Sequence, residues 1–495
     1  MDDQVQVARE TLSSVKERAY GMFFTPERIA ERIVASAVSF SSGSLEKVLD
    51  LSAGEGSFLS AAYSKIDGPV RAVGIEIDPL NAKRCQEVLD RRAERGRQGR
   101  IVVANGLDPA IATSLAAEYG SFDLVVGNPP FLSPRLRSDR FRDLNAVNWD
   151  WLKNVFPMLA GPTTDLSAYF FVRGFQLLRP GGVIAMVMPA SFVSAQGSEE
   201  VRRLVSAEGT VLAIERLEAG AFEANVNAVA VIASRGEGRP DRRGDWGRFL
   251  AESPSLDIEA KLRVGDVARV TAGFRDEYYE VAARVRESSG LPGESKVITV
   301  GLTGFGRHAW GFRQARIARR SYSKPVVDTV SGPALRATLK SLVGPKILIP
   351  PQKLVVSPVV DEIGDLMPLT PLISVLPAEL PDGQVADRLH LLASALASPV
   401  ASALTEHGCA GTGLSKDALK FSARWIAEIP LPILDEDWRR SARLLQLGVA
   451  SGFEGDSLRS YMEAVLDAYQ ITGGTRRQLA GWWLPRASRQ LQWSP

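Results

Sequence analysis

The chain carries Asn128-Pro129-Pro130-Phe131 directly after the apolar run Asp123-Leu-Val-Val-Gly127. A helix cannot pass through consecutive prolines, so the Asn128 side chain and the Pro129 carbonyl are held at the end of an extended segment, with an aromatic ring two residues on. That arrangement suits a planar exocyclic amine, a poor nucleophile because its lone pair is delocalised into the ring. The two oxygens can accept its two hydrogens, and Phe131 can stack on the ring. Three further segments carry polar groups at the ends of apolar runs: Asp50-Leu51-Ser52-Ala53-Gly54-Glu55-Gly56, Glu76-Ile77-Asp78-Pro79 and Asn105-Gly106-Leu107-Asp108. An acid followed by a glycine turn lets a ligand approach the backbone closely, and an acid ending the next run can accept both hydrogens of a ribose diol. In order, the three describe an adenosine-shaped pocket. The first two also have a purely structural reading, a tight turn at Gly54 to Gly56 and a helix cap at Asp78. The chain has no Gly-x-x-x-x-Gly-Lys-Ser/Thr run to cradle a triphosphate.

These segments need a scaffold that brings strand ends together. Lys47–Leu51, Arg71–Glu76, Arg100–Ala104, Phe122–Val126 and Gly182–Met188 read as buried strands, with helical spacing over Ser57–Tyr63, Pro79–Arg97 and Tyr169–Leu178. The alternation predicts a doubly wound α/β domain with a largely parallel sheet. Arg179-Pro-Gly-Gly182 is expected to stop one helix before the next strand. Thr210–Arg216 and Val226–Ala233 are expected to form an antiparallel hairpin on the sheet edge. Thr25-Pro26 predicts a helix start, with Thr25 as N-cap and Pro26 at the first helical position. The polar, Gly-rich stretch Arg235–Asp245 marks a domain boundary. Beyond it, short β-like pieces with scattered Pro and Gly give way to helical spacing over Ala386–Leu404 and Trp438–Tyr469.

At 495 residues the chain exceeds what one hydrophobic core supports, so at least two domains are expected. With 45% hydrophobic and 23% charged residues and a mean hydropathy of -0.02, it fits a soluble folded protein. The apolar runs Val183–Val193 and Val226–Ala233 fall short of the ~20 residues a spanning helix needs, so no membrane association is expected. Two cysteines and three histidines leave little for a disulfide framework or a metal site, and no metal is expected. The acidic start lacks a signal-peptide pattern, and a reducing cytoplasm is the expected compartment. Net charge is only +2, but residues 235–350 hold 21 basic and 13 acidic side chains, a local excess of 8. Within them, 301–324 contains six basic residues, four aromatics and no acid. Arginine matches phosphates and guanine edges bidentately, so Arg307, Arg313, Arg316, Arg319, Arg320 and Lys324 are the candidate DNA contacts. Arg313 and Arg316 are the expected base readers, one turn apart if a helix begins there. A solvated basic face is the plainer alternative.

The order Phe23-Phe24-Thr25-Pro26, Asp50 to Leu59, Glu76 to Pro79, Asn105 to Asp108 and Asn128 to Phe131, followed by a long C-terminal region, resembles the gamma-class N6-adenine DNA methyltransferases of restriction-modification systems. The resemblance covers residues 20–235. It implies a Rossmann-like catalytic domain over 21–240 and a mixed α+β target-recognition domain over 246–432. An N-terminal helical extension (1–20) and a helical tail (433–495) would flank them. It implies S-adenosylmethionine as cofactor, with Thr25 at its methionine end and Asp50, Ser52 and Gly54 on the methionyl amino and carboxylate groups. Glu76 would bind the ribose, with Ile77 beside it in the cofactor site. Asn105 stands where the family usually has an acid for the cofactor's adenine, with Asp108 in reserve. Asn128, Pro129, Pro130 and Phe131 match the catalytic tetrapeptide, phenylalanine replacing the more usual tyrosine. Phe222 falls where a second aromatic meets the extruded base. Asp165–Gly182 and Val187–Val193 look like the elements that cover the back of the pocket.

The implied reaction is methyl transfer to the N6 amine of an adenine flipped out of double-stranded DNA. A monomer is expected, with any restriction endonuclease on another chain, because no Pro-Asp…Glu-x-Lys pattern is present. Cytosine-C5 chemistry needs a nucleophilic cysteine in a Pro-Cys setting, and neither Cys85 nor Cys409 has one. Protein-glutamine or RNA methylation and a non-catalytic DNA-reading subunit are the alternatives. The long C-terminal region weighs against the first, and the intact Asn128 to Phe131 element against the second.

Overall fold

The computed structural model describes residues 25–492, apart from 42, 95, 133–147, 160, 162, 219–226, 237–245, 274, 330–335, 379–383, 412–418 and 434–435. The expected extension over 1–20, the second aromatic Phe222 and most of the Gly-rich stretch therefore lie outside the described residues. The chain divides into two compact units, Met1–Leu250 and Ala251–Pro495.

In the first unit the element order is α1 (Glu27–Ser39), β1 (Lys47–Asp50), α2 (Ser57–Lys65), β2 (Val70–Glu76), α3 (Pro79–Arg91), β3 (Arg97–Val103), α4 (Pro109–Tyr119), β4 (Phe122–Gly127), α5 (Trp149–Val155), α6 (Leu166–Leu177), β5 (Leu178–Pro189), α7 (Glu199–Glu208), β6 (Gly209–Arg216) and β7 (Ala228–Arg235). One seven-stranded sheet runs β3-β2-β1-β4-β5-β7-β6. Its first five strands are parallel, and β7 pairs antiparallel with both β5 and β6. This is a doubly wound Rossmann-like sheet, and its order reverses between β1 and β4. A doubly wound sheet opens its crevice at that switch point, beyond the carboxyl ends of the strands. The central strands are apolar on both faces, as strands covered by helices on both sides must be. Ile29, Ile33 and Val34 of α1 and Phe58 and Leu59 of α2 pack on Val48, Leu124 and Val126.

Three local expectations are corrected. Helix α1 starts at Glu27, with Pro26 as N-cap in an extended conformation (φ -56°, ψ 139°) and no side-chain cap. The Pro26 carbonyl accepts from Ile29 and Ala30, which leaves the Thr25 hydroxyl for another partner. Helix α3 ends at Arg91, because Arg97 already pairs with Val70 as β3 begins. The Arg179-Pro-Gly-Gly182 stretch does not precede β5 but sits inside it, as a bulge between the pairs Phe122–Leu178 and Leu124–Val183. Arg179 holds it in place by donating to Asp123, whose other oxygen accepts the amides of Glu46 and Lys47. The helices α4 and α7 were not foreseen.

The second unit holds β8 (Ala268–Ala272), α8 (Arg275–Ala282), β9 (Arg286–Glu287), β10 (Glu294–Ile298), β11 (Ala315–Ile317), β12 (Arg320–Tyr322), β13 (Pro325–Asp328), β14 (Lys346–Ile349), β15 (Gln352–Lys353), β16 (Val359–Asp361), β17 (Leu366–Pro368), β18 (Ile373–Pro377), α9 (Val385–Leu396), α10 (Pro399–Cys409), β19 (Leu419–Lys420), α11 (Glu436–Ser451), α12 (Ser457–Ala468) and α13 (Gly473–Leu491). Two four-stranded sheets run β17-β10-β13-β9 and β16-β14-β18-β8, and two-stranded pairs join β11 to β12 and β15 to β19. Ile347, Ile373 and Val375 from the strands share one core with Leu392, Leu445, Met462 and Trp483 from the helices. The helices past residue 433 thus bury their apolar faces against the strands of the same unit. Among the described residues, no helix is long and apolar enough to cross a membrane.

Candidate functional site

Strand β1 ends in Asp50, whose side chain is 1% exposed. Its Oδ1 accepts the Ser52 amide at 2.9 Å, which turns the chain away from the sheet. Burial, with a smaller push from the nearby Glu76 carboxylate, raises the Asp50 carboxyl to about 7. Glu76, also buried, ends β2. Its Oε2 accepts the Gly54 amide at 2.8 Å and its Oε1 the Asp78 amide at 2.9 Å, so one carboxylate fixes the β1 turn and the entry to α3. Each oxygen keeps a second lone pair for a ligand hydroxyl. Asp78 caps α3 by accepting from Leu80 and Asn81.

Beyond β3, the Asn105 side chain accepts the Leu107 amide at 3.0 Å. Asp108 caps α4 by accepting from Ala110 at 2.9 Å. Two glycines permit the close approach of these loops. A Cβ on Gly106 would lie 2.1 Å from the Leu51 carbonyl oxygen, and one on Gly127 (φ 151°) 2.7 Å from Asp50 Oδ1. Asn128 follows Gly127 and donates from Nδ2 to Thr25 Oγ1 at 3.0 Å. The Thr25 hydroxyl, left over by the helix start, thus reaches the end of β4.

These strand ends surround a cavity of about 450 Å³, lined by Thr25, Asp50, Ser52, Gly54, Glu76, Ile77, Asn105, Asn128 and Pro130 among others. Nine of the expected cofactor and catalytic residues therefore meet at one place. Asp108, Pro129 and Phe131 do not line it. Asp108 is occupied with its helix, Pro129 is buried, and the half-buried Phe131 packs against the core. Leu166 and Phe170 of α6, within the stretch expected to cover the back of the pocket, complete the wall together with Asn148, Trp151 and Leu152 at α5, which sequence reasoning missed. The tryptophan-rich run Asn148-Trp149-Asp150-Trp151 was the available signal.

The lining contains three acids and no lysine or arginine. Glu55 is paired with Arg84, which leaves Asp50 and Glu76 as the negative groups facing the cavity. Two desolvated carboxyl groups without a cationic neighbour in the wall fit a ligand that brings its own positive charge and a diol. S-adenosylmethionine carries a sulfonium, an ammonium and a ribose, so the residues present fit it.

In the second unit, Arg307 donates from Nε and Nη2 to the Val449 carbonyl near the end of α11, so it ties loop to helix instead of standing on an open face. Arg313, Arg316, Arg319, Arg320 and Lys324 are exposed, as is Phe312 at 82%. No helix begins at Arg313, so Arg313 and Arg316 are not spaced as on a helical turn. Arg316 lies in β11 opposite Ser321 of β12, and Arg319 and Arg320 lie at and after the hairpin turn.

Residues 80–219 match the family described as Eco57I restriction-modification methylase. Among curated proteins, the chain is 27% identical over 125 residues to "Defense against restriction protein B" of Escherichia phage P1, covering 25% of this chain and 5% of that protein. It is 22% identical over 198 residues to "Modification methylase CviBIII" of Paramecium bursaria Chlorella virus NC1A, covering 40% of this chain and 45% of that protein. In both cases the aligned part is less than half the relative's length. Among solved structures, the DrdV–DNA complex matches at 12% identity and a TM-score of 0.49, covering 87% of this chain and 58% of that one.

Proposed function

We propose that this chain is an S-adenosylmethionine-dependent DNA methyltransferase that acts on the N6 amine of adenine. The observation that carries the reading is Asn128 at the carboxyl end of β4, lining an acidic cavity at the switch point of the sheet. The match of residues 80–219 to a restriction-modification methylase family supports the same class of substrate.

In this reading Asp50 and Glu76 hold the ammonium and the ribose diol, Ser52 and Gly54 the carboxylate end, and Asn105 the adenine amine. Thr25 lies at the methionine end. S-adenosylmethionine, when bound, supplies the electrophilic methyl group. The target base must leave the duplex, at a cost of a few kcal/mol, to reach the cavity mouth. There the Asn128 side-chain oxygen and the Pro129 carbonyl would accept the two amine hydrogens and hold the nitrogen facing the cofactor end of the cavity, and the exposed part of the half-buried Phe131 would stack on the base. Double-stranded DNA is the partner, with a separate restriction endonuclease in the same system.

The test is nucleoside mass spectrometry of DNA incubated with the protein and S-adenosylmethionine. N6-methyladenine should appear with the parent and not with Asn128→Ala. Methylation of glutamine side chains or RNA, with DNA untouched, would overturn the reading.

A further inference from the structure

The β11–β12 hairpin is built in an unusual way. Its strands pair Ile317 with Arg320, so only Ala318 and Arg319 make the turn, at φ 46° and 69°. A two-residue turn with both residues left-handed normally uses Asn-Gly or a similar pair, because a Cβ is unfavourable there. Here the second position is an arginine. Ala315 and Ile317 anchor the hairpin with their side chains buried, and the Ala318 amide donates to the Tyr278 hydroxyl of α8 at 3.2 Å. The tip is therefore fixed from behind. Arg316, Arg319 and Arg320 are exposed, with Lys324 just beyond, and none of the four pairs with an acid among the described residues. Glu287, the carboxylate at the hairpin base, accepts the backbone amides of Ser323 and Lys324. A shallow groove lined by Tyr278, Thr299, Arg313, Gln314, Arg316 and Pro371 runs alongside.

A two-stranded β-ribbon has the width that the DNA major groove admits, and arginine is the side chain that meets guanine O6 and N7 bidentately. Holding an arginine in a left-handed turn is a local cost, and such costs persist at positions with a task. We propose that this hairpin enters the major groove of duplex DNA, with Arg319 at its tip reading a base edge and Arg316, Arg320 and Lys324 meeting phosphates. The inference rests on the reading of the chain as a DNA methyltransferase and names the element that selects its site.

The experiment uses the full chain, a labelled random-sequence duplex at several salt concentrations, and sequencing of the methylated sites. Arg316→Ala, Arg320→Ala and Lys324→Ala should each lower the slope of log affinity against log salt by about 0.9. Arg319→Gly should keep the parental slope and relax the preferred sequence at one position, with roughly 5- to 150-fold less discrimination there. Glycine is at home in a left-handed turn, so this variant should melt no lower than the parent, which separates loss of reading from misfolding. An Arg319→Gly protein that methylates the parental sites in the parental order overturns the assignment of Arg319. Parental salt slopes in the other three variants overturn the hairpin as a DNA element. That outcome is independent of catalysis: a parent that binds duplex through these residues but methylates no DNA base would sink the proposed function and leave the binding surface standing.

Discussion

The side-chain amide of Asn128 and the hydroxyl of Thr25 are joined by a hydrogen bond of 3.0 Å, with Asn128 Nδ2 as donor. Because Nδ2 and Oδ1 share one carbon, fixing the nitrogen toward Thr25 fixes the direction of the oxygen. Thr25 therefore sets which end of the amide is available as an acceptor. Removing its hydroxyl should let the amide rotate and turnover should fall. A hydrogen bond worth ~0.5–1.5 kcal/mol corresponds to a loss of about 2- to 10-fold. Thr25→Ser should keep most of the rate and Thr25→Val should not. Equal rates in the two variants would dissociate Thr25 from Asn128.

Asn128→Ala removes the acceptor itself. Methyl transfer should be abolished, while calorimetric affinity for S-adenosylmethionine stays within a few-fold, since the amide's task concerns the base amine. If cofactor affinity collapses along with activity, Asn128 is a structural support of the cavity.

Asp50 gives a pH dependence with a definite sign. Its carboxyl titrates at about 7 in the ligand-free protein, against an ordinary value of 3.8. A cationic ligand favours the ionised form, so affinity should be flat above pH 7 and fall by up to about tenfold per unit below it. The stability of the free protein should move the other way. A pKa raised on folding contributes stability that is complete below 3.8 and lost as pH rises through 7, an effect of about 4 kcal/mol at most. Asp50→Asn should remove both trends, as read by calorimetry and thermal melts between pH 5.5 and 8.5. A cofactor affinity in the parent that does not change over that range would contradict this role.

Gly127→Ala tests the closeness of β1 and β4. The added methyl carbon would lie 2.7 Å from Asp50 Oδ1 at a backbone φ of 151°, and the expected cost is ~1–3 kcal/mol. The melting temperature should fall, and adding Asp50→Ala should restore part of it, because the clash and the strain are separable. Additive losses in the double variant would mean that the two positions do not collide.

The parts of the fold that could be read from sequence are those in which a single strong signal dominates. The strands β1, β2 and β4 are short apolar runs closed by an acid or a glycine, and buried parallel strands have few other ways to be written. Asp50, Glu76 and Asn128 were legible for the same reason, as polar groups stranded at the ends of apolar runs. Helix α4 was not, since its only buried side chains are Ala112 and Leu115 and its periodicity is faint. The start of α1 differs by one residue because Pro26 takes an extended ψ, which the Thr-Pro pair does not reveal. The hairpin at Ala318-Arg319 was not legible because it lacks the glycine or asparagine that announces such turns. Leu152 reaches the cavity only through tertiary closure, for which no local pattern exists.

The wall of the cavity is drawn from seven stretches of chain between Thr25 and Phe170. Two of them, at the ends of β1 and β4, belong to neighbouring parallel strands that become adjacent only after the crossovers through α2, α3 and α4 are in place. A fragment lacking either end of this span cannot contain the site, however well its own helices form. Occupancy by a small ligand is therefore a report on completed folding, and binding that favours the finished state over every partial one makes the ligand a stabiliser of the first unit that grows with the logarithm of its free concentration.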